Sequence, residues 1–287
     1  MVASGARTQV VGLFQVTRFT NSLYAGAYTL VGAYLAGGLA AVFQAPAPWL
    51  AALVVGLVVA YGFVINDYAD VEVDALGKPH RPIPAGRLAR RDALAFAVVL
   101  AGAALAVAAA LGPIMALCAA ATIAVASLYS FALKGTVLIG NACMGLLIAA
   151  IPLYGALAAG GLTPAVWVVA GLMWLFDFSH EVLKTTADHA GDRAAGLSTV
   201  ATALGVPGAV RVFQLLALLF CAVALLPWPL GIASWAYAAA LLPCALLPTL
   251  GVVALLARAS DDDTIALALR VMRYMWVSNL LPILLLG

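Results

Sequence analysis

The sequence predicts an all-α integral membrane protein, with nine transmembrane helices bundled around a central cavity open to the cytoplasmic side. Three observations predict it. Of the 287 residues, 66% are hydrophobic and only 9% are charged, against about 25% charged in an ordinary soluble domain. Apolar stretches long enough to cross a bilayer core, which takes about twenty residues per helix, recur between polar and Pro/Gly punctuation. The few charges are confined to alternate connections and to two clusters.

The apolar segments run over 18–42, 48–68, 92–111, 114–133, 136–159, 164–187, 208–227, 230–257 and 264–286. The connections after the first, third, fifth and seventh carry no Lys or Arg. Arg7 and Arg18, the run from Lys78 to Arg91, Lys134, Lys184, Arg193, Arg211 and Arg258 all fall at the other ends. By the positive-inside rule the N-terminus and the even-numbered exits are then cytoplasmic, and the C-terminus is outside. A net charge of +2 gives no basis for a nucleic-acid partner; the partner that the composition demands is the lipid bilayer. Cys118, Cys143, Cys221 and Cys244 stand singly in apolar segments, without the spacing of a metal or redox motif, and read as packing residues.

The first segment has Arg18 and Asn21 near its cytoplasmic entrance and small residues, among them Gly26 and Gly32, along its length. Small residues let membrane helices approach closely. Asn21 either bonds a neighbouring helix or lines a cavity. The second segment ends in NDYADVEVD, Asn66 to Asp74. Asp67, Asp70 and Asp74 are spaced i, i+3, i+7, so a continued helix presents all three on one face with Asn66 beside them. Carboxylates so placed repel one another unless something positive sits among them. Oxygen-only ligands favour a hard divalent ion, Mg²⁺ before Zn²⁺, with coordination positions left for phosphate oxygens. Glu72 points elsewhere. The following KPHRPIPAGRLARR is a proline-fixed loop whose Lys78, Arg81 and Arg87 contact an anionic substrate or anchor at lipid headgroups; Arg81 is the first choice for substrate.

The fourth segment exits through Tyr129 and Lys134, which share a site only if the helix ends between them, and Asn141 sits in the fifth, where an amide needs a partner. The sixth brings the second cluster. Asp177, Glu181, Lys184, Asp188 and Asp192 form one helical stripe that cannot face lipid, where each charge costs about 2.5–3.5 kcal/mol even on insertion scales. The two clusters hold eight of the twelve acidic residues, both at even-numbered exits, so both open on one membrane face and can close on a common cavity holding two metal ions. Ser260 to Thr264 (SDDDT) reads as a helix cap. Arg270, Arg273, Tyr274 and Asn279 make the last segment polar for a span.

These residues resemble the UbiA superfamily of intramembrane prenyltransferases. The likeness rests on NDxxDxxxD at Asn66 to Asp74 with RPIPAGR from Arg81, and on DxxxD at Asp188 and Asp192 with Gly196 and Thr199. It extends to RxxN at Arg18 and Asn21, YSxxLK at Tyr129 to Lys134, and Gly140 with Asn141. It covers essentially the whole chain as a single domain. The resemblance implies a nine-helix bundle whose cavity lies under a small cap, formed here by loops at about 75–91 and 189–206, and in which two Mg²⁺ bind the diphosphate of a polyprenyl donor. Departures are Thr185 after Lys184, where many members have aspartate, His189 and Ala190 after Asp188, and Phe19 where proline is usual.

The reading is therefore an Mg²⁺-dependent prenyltransferase with Asp67, Asp70, Asp74 and Asn66 on one metal and Asp188 and Asp192 on the other. Arg81, Lys134, Lys184, Tyr129, Asn21 and Asn141 are the substrate contacts. Diphosphate departure from an allylic carbon leaves a carbocation, so catalysis is positioning and charge stabilisation. Transfer to a lipophilic acceptor, such as a quinone-precursor ring, is the family's commoner outcome. The alternatives are a terpene cyclase that uses no acceptor and, more remotely, a cation- or proton-coupled transporter. A proton acceptor for transfer has two sequence candidates, His180 and Glu181.

Overall fold

The structure is a computed structural model that describes residues 6–286, with side chains from residue 8 onward; Arg7, counted above among the cytoplasmic cations, has its side chain outside the described residues. Every regular element among the described residues is helical. The chain forms two compact units, Met1–Leu133 with Ile151–Gly161, and Lys134–Ala150 with Leu162–Gly287.

In the first unit, α1 (Ala6–Val16) turns through Arg18, whose φ of 47° is left-handed, into α2 (Phe19–Phe43). Then come α3 (Ala47–Ala69), the short α4 (Val71–Gly77), α5 (Arg90–Leu111) and α6 (Pro113–Leu128), which closes in a π turn over Tyr129–Leu133. That turn ends the helix immediately before Lys134. The apolar α3 packs against α2, α5 and α6, as a helix hydrophobic on all sides must. Tyr61 and Ser127 hydroxyls, 2.6 Å apart, tie α3 to α6.

Helix α7 (Ile139–Ala158) gives its first half to the second unit and its second half to the first. Its second half lies hard against α2. A Cβ on Gly32 would fall on the Pro152 backbone, and one on Gly155 would fall on the Thr29 carbonyl. Thr29 and Gly32 thus face Gly155 and Pro152 across a contact in which no side chain fits between the backbones, the close approach that small residues permit.

In the second unit, α8 (Pro164–Ala187) leads into α9 (His189–Ala194), α10 (Val200–Leu225) and α11 (Trp235–Leu241). A π turn at Leu242–Leu246 joins α11 to α12 (Leu247–Arg258), and α13 (Asp262–Ser278) and α14 (Leu280–Leu284) follow. Helix α8 packs against α10 and α13, and the Trp174 indole donates to the Ala142 carbonyl of α7 at 3.2 Å. The Thr199 hydroxyl accepts from the Thr202 backbone N–H while the Thr202 hydroxyl accepts from that of Thr199, at 2.8 Å, so α10 starts at a reciprocal cap. It therefore begins before the expected 208. Gly205, with φ of 71°, followed by Pro207, kinks it, and the apolar pattern had picked out only the part beyond the kink.

Among the described residues, eight helices are long and apolar enough to span a bilayer, the first counted with α1 and α2 together as Thr8–Phe43. The protein is an integral membrane protein. The expected ninth span, 264–286, is not among them: α13 has 17 residues, includes Asp262, Asp263, Arg270 and Arg273, and gives way at Asn279 to the five-residue α14. Asp261 caps α13, accepting from the Thr264 backbone N–H at 3.0 Å and its hydroxyl at 2.9 Å; these bonds hold its carboxyl below the usual range. The cap reading of that acidic run is what the helix start displays.

The α2–α7 contact is directly testable. Gly155→Val is expected to lower the melting midpoint of the detergent-solubilised protein, overpacking costing about 1–3 kcal/mol or more. Gly102→Ala on α5, where a Cβ meets nothing within 4 Å, is expected to leave it unchanged or raise it.

Candidate active site

Both acidic motifs are built as the same joint. Helix α3 passes into α4 through Asp70, whose φ and ψ are −87° and 6°, the sparsely used bridge region. Backbone bonds nevertheless continue across it, from Asp70 N–H to the Asn66 carbonyl at 2.9 Å and from Asp74 N–H to the Asp70 carbonyl at 2.7 Å. The helical register of Asp67, Asp70 and Asp74 therefore survives the joint, and all three are buried, at 3%, 6% and 4% exposure. Glu72 is exposed. In the second unit α8 passes into α9 through Asp188, at −90° and 0°. Its N–H bonds the Lys184 carbonyl at 3.1 Å, and Asp192 N–H bonds the Asp188 carbonyl at 2.9 Å. Asp192 is buried and Asp188 half-buried.

Counting back from each joint aspartate, Lys184 stands where Asn66 stands and Thr185 where Asp67 stands. The Thr185 hydroxyl donates to the Val182 carbonyl at 2.8 Å, inside its own helix. The second joint has thus lost one carboxylate and gained an ammonium relative to the first.

Two arginines from distant parts of the first unit close its acidic cluster. Arg81 donates to Asp74 Oδ2 at 2.5 Å and to Asp67 Oδ1 at 3.1 Å, and Arg18 donates to the same Asp67 oxygen at 2.9 Å. The left-handed turn at Arg18 aims its side chain inward, and the guanidinium also lies 4.4 Å from the Phe63 ring centroid. Arg81 is held by its loop: Ile83 and Leu88 are buried beneath it, and the Arg87 guanidinium donates to the His80 carbonyl. The positive charge that the sequence demanded among the carboxylates is here supplied by guanidinium groups. Arg18 was read only as a topology charge and a family match; its sign as a site residue was an arginine at the mouth of an otherwise apolar helix.

The remaining residues singled out fall as follows. Asn21 is exposed on α2, one turn beyond Arg18, and Tyr129 is half-buried at the start of the π turn. Asn141 is half-buried in the first turn of α7. Lys184 donates to Glu181 Oε1 at 2.5 Å, and Lys134 lies within electrostatic reach of Glu181. Asp177 and Glu181 are buried on α8. Of the predicted contacts, Arg81 is thus brought onto Asp67 and Asp74, and Lys184 onto Glu181.

An all-helical membrane bundle carrying two aspartate joints of one build has the architecture of an intramembrane prenyl-transfer enzyme. The sequence profile described as the UbiA prenyltransferase family matches residues 25–280, and the chain belongs to that family. It is 40% identical over 233 residues to the digeranylgeranylglyceryl phosphate synthase of Halobacterium salinarum, covering 81% of this chain and 83% of the relative. To that of Methanopyrus kandleri it is 36% identical over 231 residues, covering 80% and 83%. A solved structure concerned with digeranylgeranylglyceryl phosphate synthase in membranes shares the fold with a TM-score of 0.76 at 23% identity, over 96% of this chain and 97% of that one. A UbiA homolog from Archaeoglobus fulgidus bound to GPP and Mg²⁺ does so with a TM-score of 0.70 at 16% identity, over 95% and 99%. The protein is a prenyltransferase.

Removing one member of a buried ion pair strands the other, at about 3–5 kcal/mol. Arg81→Leu is therefore expected to lower the melting midpoint, and adding Asp67→Asn to recover part of the loss. Additive losses in the double variant would show that Arg81 does not neutralise Asp67.

Proposed function

We propose that the protein transfers a geranylgeranyl chain from its diphosphate to the free hydroxyl of a prenylated glyceryl phosphate, giving a second ether link. The observation that carries this reading is the identity of up to 40% with digeranylgeranylglyceryl phosphate synthases along four fifths of the chain. It favours a glyceryl phosphate over the aromatic or quinone-precursor acceptor considered from the sequence. It also favours transfer over cyclisation, since the name of those relatives describes two prenyl groups joined to an acceptor. The transporter reading has no support from any relative named above.

The residues fit divalent metal. Asp67, Asp70 and Asp74 present buried carboxylates on one face of a helix that holds its register, oxygen donors suited to Mg²⁺. With Asn66 they would hold one ion, and Asp188 with Asp192 a second. An Mg²⁺ held by these residues would supply the positive charge that lets the diphosphate leave as a stable anion. Arg81 and Arg18, now spent on Asp67 and Asp74, are then free to turn to phosphate oxygens, joined by Lys134, Lys184 and Tyr129, with Asn21 and Asn141 as further substrate contacts. Their work is to fix the diphosphate in line with the acceptor and to compensate charge as the carbon–oxygen bond breaks. The apolar helix walls hold the prenyl chains and keep water from the allylic cation. The lysines and arginines at even-numbered exits support an opening on the cytoplasmic face.

The test uses protein in nanodiscs with geranylgeranyl diphosphate, geranylgeranylglyceryl phosphate and Mg²⁺. The expected product is the diether, lost on chelation with EDTA and restored by Mg²⁺. Asp70→Ala and Asp192→Ala are each expected to reduce turnover by about a thousandfold or more in protein that still inserts. Cyclic products without acceptor, or turnover only with aromatic acceptors, would contradict the proposal.

A further inference from the structure

Ether formation requires that the acceptor hydroxyl lose its proton, either to the departing diphosphate or to a positioned side chain. The sequence offered His180 and Glu181. In the structure Glu181 is already engaged: its Oε1 accepts from the Lys184 ammonium at 2.5 Å, an ion pair that holds its negative charge and weakens it as a proton acceptor.

One turn back on the same helix, Asp177 is in the opposite situation. It is 5% exposed, and its Oδ2 is buried with no hydrogen-bond donor. A buried carboxylate oxygen without a partner is costly. It persists where the missing donor arrives with a ligand. Ligand atoms of Asp177, His180 and Glu181 lie within 4.8 Å of one another, so a group that bonds Asp177 Oδ2 also meets an imidazole and an ion-paired carboxylate. A hydroxyl, which both donates and accepts, matches those groups.

The surroundings decide which hydroxyl-bearing ligand fits. Lys184 and Lys134 act electrostatically on Glu181, and Arg273 of α13 acts on His180. Cations beside this cluster suit a ligand with an anionic head group. Asp177 lies eleven residues before Asp188, about 16 Å inward along α8. The first carbon of a prenyl chain, joined to the diphosphate through a single oxygen, must also lie inward of that motif.

We propose that Asp177 is the catalytic residue that receives the hydroxyl proton of the glyceryl phosphate acceptor, with His180 and the Glu181–Lys184 pair orienting that hydroxyl. The assignment rests on the transferase reading above. The allylic carbon–oxygen bond breaks with its electron pair leaving on diphosphate. A lone pair of the acceptor oxygen forms the ether bond to that carbon, and the proton of this oxygen passes to Asp177 Oδ2, which takes it in the deprotonated form of the carboxyl.

The experiment measures ether product, prenyl alcohol and donor KM in nanodiscs with Mg²⁺ for the wild type, Asp177→Asn, Asp177→Glu and Glu181→Gln. Asp177→Asn keeps the shape and hydrogen bonding but cannot take the proton. Its ether kcat is expected to fall about a hundredfold or more, with donor KM within about threefold of wild type and prenyl alcohol becoming the main product as water captures the cation. Asp177→Glu is expected to regain part of the ether rate. Three outcomes would overturn the assignment: an ether rate in Asp177→Asn within about threefold of wild type, ether and alcohol lost in equal proportion, or a loss confined to Glu181→Gln. A wild type that makes no ether with this acceptor overturns the transferase reading itself, before any variant is measured.

Discussion

A carboxylate placed in a membrane-spanning helix must be given a positive or hydrogen-bonding partner, because hydrocarbon offers none. Much of this fold follows from that requirement at Asp67 and Asp74. The left-handed turn at Arg18 and the proline-fixed loop carrying Arg81 deliver two guanidinium groups from sites 49 and 14 residues away from Asp67. The helices that bear the acids, α8 and α3, are the most enclosed of the eight spans, which keeps the charge away from lipid.

The two joints share backbone geometry and differ in charge. Replacing the Asn66 and Asp67 positions by Lys184 and Thr185 shifts the second joint by two positive charges relative to the first. The first joint thus carries three buried carboxylates. The second carries an ammonium that reaches back along α8 to Glu181.

Much of this was legible in the sequence, and the reasons differ by residue. The spacing of Asp67, Asp70 and Asp74 predicted a shared face, and it holds because the i→i−4 bonds run through Asp70. Hydropathy located the eight spans, since long apolar runs have one physical use. Over 264–286 it met a more polar stretch, where the structure has the amphipathic α13 followed by the short α14. The pairing of Arg18 with Asp67 was not legible, because it depends on tertiary contact across 49 residues and on a left-handed φ that no residue type announces. Nor was the unpartnered Asp177 oxygen: periodicity placed it in the polar stripe, but only packing decides which member of a stripe is left without a donor.

Each aspartate joint is proposed to hold one metal ion. The most direct measurement counts Mn²⁺ bound in place of Mg²⁺, by electron paramagnetic resonance, in the presence of a non-reactive thio-analogue of the donor. The account predicts two ions per chain in the wild type and one in Asp70→Asn or Asp192→Asn. Two ions retained in both variants, or one in the wild type, would contradict it.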